Sequence, residues 1–333
     1  MSAKADLYHK WRKDLSEEIF VRSDVQAYLD QLKAQPRPAF TKEMIAMIRT
    51  LPPEVMAAAD LPVGELAVDR ELEMPGPAGT MALRLFDPRA SRAAGPVVIF
   101  YHGGGFCVGS IATHAGLSAE IARQLDLPVI SVEYRLAPES PWPAAPDDAE
   151  AAARWIAENA AAFELDFDGL ILCGDSAGGN LAIITALALR DAPAKLPVVQ
   201  QLLFYPGTDV TRDYPSRAAF SAGYGLDKAD MELFNEHYGR DSESWRHSPM
   251  RAELSGLAPT VLATASLDPL RDEGRAFAAK LVRSGCDVTF SEMRGTIHGF
   301  ASYRKGIASS NDDLALILNQ SRMMLAGPNT DYA

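Results

Sequence analysis

A serine flanked by glycines, Gly174-Asp175-Ser176-Ala177-Gly178, follows the apolar run Leu170-Ile171-Leu172-Cys173 and precedes a helical stretch over residues 180–190. A strand, a sharp turn and a helix in that order lift a serine hydroxyl above a sheet edge, and the glycines clear the space that such a turn needs. A hydroxyl is a weak nucleophile at neutral pH, so this reading requires a base and a group to fix the base's tautomer. Six histidines are available. His298, in Gly295-Thr296-Ile297-His298-Gly299-Phe300, lies just past the last predicted strand, where a loop can carry its imidazole over Ser176. His102 adjoins a glycine run, and His9, His114, His237 and His247 sit in helical or lid-like surroundings.

The acid should come from a strand exit between the serine and the histidine. The run 259–265 reads as such a strand, and Asp268 follows it directly. Asp272 and Glu273 are better placed to open the next helix, where acids favour the positive end of the dipole. The chain order Ser176, Asp268, His298 is the order found in α/β-hydrolases. A tetrahedral intermediate also needs backbone donors aimed at its oxyanion. His102-Gly103-Gly104-Gly105-Phe106 follows a strand and lets N–H groups come close to a substrate that any Cβ would obstruct. The amide of Ala177, next after the nucleophile, should complete the hole.

With HGGGF at 102–106, VEYRLAPE at 132–139 with Asp148 beyond it, GDSAGG at 174–179, DPLRDE at 268–273 and HGF at 298–300, the chain resembles the hormone-sensitive-lipase-like family of α/β-hydrolases over roughly residues 65–310. The bacterial members of that family are small carboxylesterases. The resemblance implies a Ser176–Asp268–His298 triad, oxyanion donors at Gly104, Gly105 and Ala177, and a structural His102. It implies that Arg135 and Glu139 serve a structural ion pair, and it implies a helical cap made from the N-terminus and an insertion after the sixth strand. Expected substrates are short- to medium-chain carboxylic esters, with no cofactor and no metal. An amidase or arylacetamide deacetylase, or a lactonase, would share the machinery. A receptor similar to the plant gibberellin receptors would keep the fold without turnover, but those lack the histidine.

The elements that must position these residues are legible as eight strands over 65–73, 81–86, 96–101, 128–133, 169–173, 199–205, 259–265 and 287–292, alternating with Ala-rich helical segments after the first two. That alternation predicts a mostly parallel sheet flanked by helices, the α/β-hydrolase fold. The first two strands, joined across 74–80, form a hairpin. Residues 1–60 are helical in texture, with Tyr8, Trp11, Leu15 and Ile19 on one face, and 206–257 is polar and aromatic. We assign 1–60 and 206–257 to the cap, and 61–205 and 258–325 to the catalytic core. Phe106, Cys107 and Tyr205 are candidates to touch substrate, with ordinary core packing the competing reading for each, and the Cys107 thiol reads as buried and inert.

The 333 residues are 47% hydrophobic and 23% charged, which excludes a disordered or fibrous chain. A formal charge of −12 disfavours nucleic acid and anionic membrane partners. Three cysteines in no metal-ligand spacing suit a reducing cytoplasm. Charges throughout the first eighteen residues argue against an export signal, and no apolar run is long enough to span a membrane. The expected partner is a small ester. A homodimer also fits the family's habit, with the unpaired edge of the last strand as its place.

Overall fold

Along the central strands, successive side chains divide between two apolar layers. Val97, Ile99 and Tyr101 join one core cluster, while Val98 and Phe100 join the other. Strands buried on both faces in this way need helices above and below. The computed structural model describes residues 19–34, 41–239 and 241–327. Its strands are β1 (Val68–Gly76), β2 (Gly79–Asp87), β3 (Gly95–Tyr101), β4 (Val129–Val132), β5 (Phe167–Asp175), β6 (Val198–Phe204), β7 (Thr260–Leu267) and β8 (Val288–Ile297). They form one sheet in the order β1-β2-β4-β3-β5-β6-β7-β8. β2 is antiparallel to both its neighbours, and all other pairs are parallel. This is the mostly parallel, helix-flanked sheet expected from the sequence.

The helices among the described residues are α1 (Ser23–Ala34), α2 (Lys42–Arg49), α3 (Pro53–Met56), α4 (Ala115–Leu125), α5 (Ala144–Glu158), α6 (Ala177–Asp191), α7 (Pro215–Ala219), α8 (Lys228–Tyr238), α9 (Arg271–Arg283) and α10 (Ser310–Ala326). Helices α5, α6 and α9 supply the apolar cluster on one face of the sheet, and α4 and α10 supply the other. A third cluster joins Val25 and Leu29 of α1 to Phe220 of the insertion and to Leu267 and Ile297, the last residues of β7 and β8. The N-terminal helices and the insertion therefore meet at the carboxyl ends of these strands.

A buried ion pair anchors the N-terminal segment. The guanidinium of Arg304 donates to both Asp60 oxygens at 2.7 and 3.0 Å, and the amides of Lys305 and Gly306 both donate to Ala59 O. Arg22 grips the Asp313 carboxylate with two hydrogen bonds of 2.6 and 2.9 Å.

Three expectations about the elements change. β1 starts at Val68 rather than residue 65, because its partner β2 ends at Asp87, opposite Val68. The hairpin turn contracts from 74–80 to Pro77 and Ala78, since pairing continues to Gly76 and Gly79. β8 runs to Ile297 instead of 292: residues 294–296, with Gly295 at φ 75°, form an irregularity in the β7–β8 pairing, and the strand then resumes. Tyr8, Trp11 and Leu15 lie outside the described residues, and Ile19 is exposed.

Candidate active site

Ser176 follows the last residue of β5 and caps α6, with φ 54° and ψ −116°. Such a conformation costs a non-glycine residue about 1–3 kcal/mol and persists only when its surroundings over-determine it. Here they do. Its amide donates to Phe204 O at 2.9 Å, and its carbonyl accepts from Asn180 and Gly207. A Cβ on Gly178 would lie 1.9 Å from Tyr101 O, so α6 can approach β3 this closely only with glycine there.

The extended β8 delivers His298 to this turn. Its Nε2 lies 2.8 Å from Ser176 Oγ, and its Nδ1 lies 2.8 Å from Asp268 Oδ2. Asp268 is fully buried, and its other oxygen accepts the Leu270 amide at 2.8 Å. Burial works against the imidazolium, but the charge of Asp268 and its hydrogen bond outweigh that, leaving His298 above its ordinary pKa. Asp272 stays at the start of α9, accepting the Ser216 amide and pairing with Arg271 and Arg275.

In the glycine loop, Gly104 and Gly105 have φ of 122° and 59°. A Cβ on Gly104 would lie 2.1 Å from Val108 O. The Gly103 amide donates to Asp175 Oδ1 at 2.7 Å, and the Cys107 and Val108 amides close the loop onto Gly104 O. Among the described residues, none accepts a hydrogen bond from the amides of Gly104, Gly105 or Ala177. All three residues line the same cavity as Ser176. His102 stacks on Tyr134 with ring centroids 4.3 Å apart, and its Nδ1 donates to Gly103 O at 2.8 Å. Burial, reinforced by His114 nearby, pushes its pKa down to about 3, so it stays neutral.

A family model described as the alpha/beta hydrolase fold matches residues 98–302. The chain belongs to this family. Within it, the hydrolase falls in the hormone-sensitive-lipase-like group. It is 41% identical over 251 residues to the carboxylic ester hydrolase LipN of Mycobacterium tuberculosis, covering 72% of this chain and 66% of LipN. It is 35% identical over 304 residues to the carboxylesterase NlhH of the same organism, covering 87% and 92% of the two chains. Among solved structures, the ester hydrolase EH1AB1 from the metagenome of Lake Arreo, complexed with a derivative of bipyridine phosphonate, superposes with a TM-score of 0.85. The two are 36% identical, and the match covers 92% of this hydrolase and 98% of the other chain.

Around Ser176 and His298 the hydrolase has a cavity of about 860 Å³. Phe106 lines it and stacks on Tyr238 at 3.9 Å. Tyr205 does not line it: it is buried, with its ring 4.8 Å from that of His298 and 5.1 Å from Phe300, so it backs the imidazole instead of facing substrate. Burial pushes the Cys107 thiol up to about 12, which leaves it unreactive. Arg135 and Glu139 each form an ion pair, but not with each other. Arg135 is bidentate to Asp148, and Glu139 meets Arg49.

Sequence reasoning did not single out Met56 and Ala57 from the N-terminal segment, Met231 and Phe234 from α8, or the pairing of the half-buried Arg217 with the buried Glu273, all of which line the cavity. The aromatic texture of 206–257 was the only signal for the α8 pair. Among the described residues, no group of three or more metal-ligating side chains converges.

Proposed function

We propose that the protein is a serine carboxylesterase in which Ser176 is the nucleophile, His298 the base and Asp268 the residue that orients it. His298 takes the Ser176 proton as the hydroxyl attacks an ester carbonyl, and Asp268 stabilises the imidazolium that forms. The amides of Gly104, Gly105 and Ala177 stabilise the oxyanion. His298 then protonates the leaving alcohol, and water activated by the same imidazole releases the acid from the acyl-serine. The observation that carries this reading is the unbroken line of two 2.8 Å contacts from Asp268 through His298 to Ser176.

The cavity volume suits neutral short- to medium-chain esters. Of the cationic side chains that line it, Arg217 is committed to Glu273 at 2.6 Å and Lys228 to Glu232 at 3.5 Å, which leaves little to attract a charged acyl group. Among the described residues, no helix is long and apolar enough to cross a membrane. Three free cysteines suit the reducing cytoplasm as the compartment.

The test is hydrolysis of p-nitrophenyl esters from acetate to palmitate by the wild type and by Ser176→Ala. Turnover of the shorter esters, abolished in the variant, is the expected result. An inert wild type, or a variant equal to it, would overturn the assignment.

A further inference from the structure

The glycine loop is fastened at both ends. At its start, Asp175 holds the Gly103 amide from within the core, immediately before the nucleophile. Its far end is held from outside the core, by Arg49, the last residue of α2. Arg49 Nε donates to Cys107 O at 2.7 Å, Nη2 donates to Ala137 O, and Nη1 meets the Glu139 carboxylate at 2.5 Å. Between those two carbonyls the chain is already tied, since the Ala137 amide donates to Phe106 O at 2.9 Å. Ile45, one turn before Arg49 on the same face of α2, is fully buried in the cluster that contains Cys107. The helix therefore sits on the loop through an apolar anchor and a planar fork.

We propose that Arg49 is a positioning residue for the oxyanion hole, coupling the N-terminal helices to the aim of the Gly104 and Gly105 amides. The Cys107 amide bonds to Gly104 O, so a displacement of Cys107 reaches the peptide next to both donors. A guanidinium suits the task because its donors are held in a fixed fork that can meet three acceptors at once, whereas an ammonium is a point charge. The role of Arg49 differs from that of the other N-terminal anchors. The Arg304–Asp60 and Arg22–Asp313 pairs tie this segment to the region after His298 and to α10, while Arg49 ties it to the loop.

This inference rests on the esterase reading, and the experiment separates the two. Arg49→Ala and Arg49→Lys are compared with wild type on a p-nitrophenyl ester and on the matching thionoester, whose sulfur is a poor hydrogen-bond acceptor and gains little from an oxyanion hole. Intact folding is checked by thermal melting. For Arg49→Ala, kcat on the oxygen ester should fall about tenfold, less than the ~10²–10³ lost with a whole donor. KM should stay within about threefold and the thionoester rate within about twofold, so that the oxygen-to-sulfur preference contracts. Arg49→Lys should lie between, and it decides the matter if the alanine variant does not melt cooperatively. Equal losses on both esters would mean general disorder and would overturn the proposal, as would an unchanged preference in both variants. A wild type inert on the oxygen ester would remove the esterase reading and this inference with it.

Discussion

The two walls of the cavity are built by different means. On the core side, backbone lies against backbone at distances that admit no side chain, with Gly178 against β3 and Gly104 against Val108. On the cap side, short helices present ordinary side chains, and the Phe234 ring rests where a Cβ on Gly105 would come within 2.4 Å of it. Close backbone packing cannot drift without loss of the site, whereas a wall of side chains can be re-cut residue by residue. The first arrangement suits the fixed geometry of bond making, and the second suits selection among substrates.

Four predictions test that division. Replacing Ser176 or His298 with alanine should lower kcat roughly 10⁴- to 10⁶-fold with little change in thermal stability, because such groups act as a unit; initial rates with active-site titration would check it. Gly178→Ala should cost about 3 kcal/mol of stability, since the added Cβ meets the fixed carbonyl of Tyr101. A melt matching wild type would show that the core wall is less rigid than described.

The third concerns pH. His298 must be neutral to accept the Ser176 proton, and its pKa lies above the ordinary value. The rate should therefore hold on the alkaline side and decline as pH falls through a point above ~6.5. Asp268→Asn, besides its large loss of rate, should move that acid limb downward; kcat/KM profiles of both proteins would show it. The smallest effect is expected from the cap wall. Phe234→Ala should leave acetate turnover within about threefold and shift the preferred acyl length upward, as read from the p-nitrophenyl series. A loss as severe as that of the core variants would erase the distinction between the walls.

The same division governs what the amino-acid sequence reveals. Ser176, Asp268, His298 and the glycines were legible because their chemistry restricts residue type, and because strand-to-loop transitions mark their places. The eight strands were legible from short β-branched runs alternating with helical segments, although the end of β8 was not. A bulge and a turn share the same glycine signature, and only pairing with β7 tells them apart. For Tyr205 two readings stayed open, because the end of a strand beside the site can face substrate or pack in the core, and this residue packs in the core behind His298. Arg49 and the Arg217–Glu273 pair carry no local signature. Their partners lie 58 to 90 residues away for Arg49 and 56 for Arg217, and only the folded chain brings them together.

The most direct test of the central claim is the fate of the acyl group. Mixing the protein with a p-nitrophenyl ester and quenching at early times should give a burst of p-nitrophenol approaching one equivalent. Intact-mass and peptide mapping should then place the acyl group on Ser176, with neither burst nor label in Ser176→Ala. Steady hydrolysis without a covalent acyl-protein, or a label on any other residue, would contradict the account.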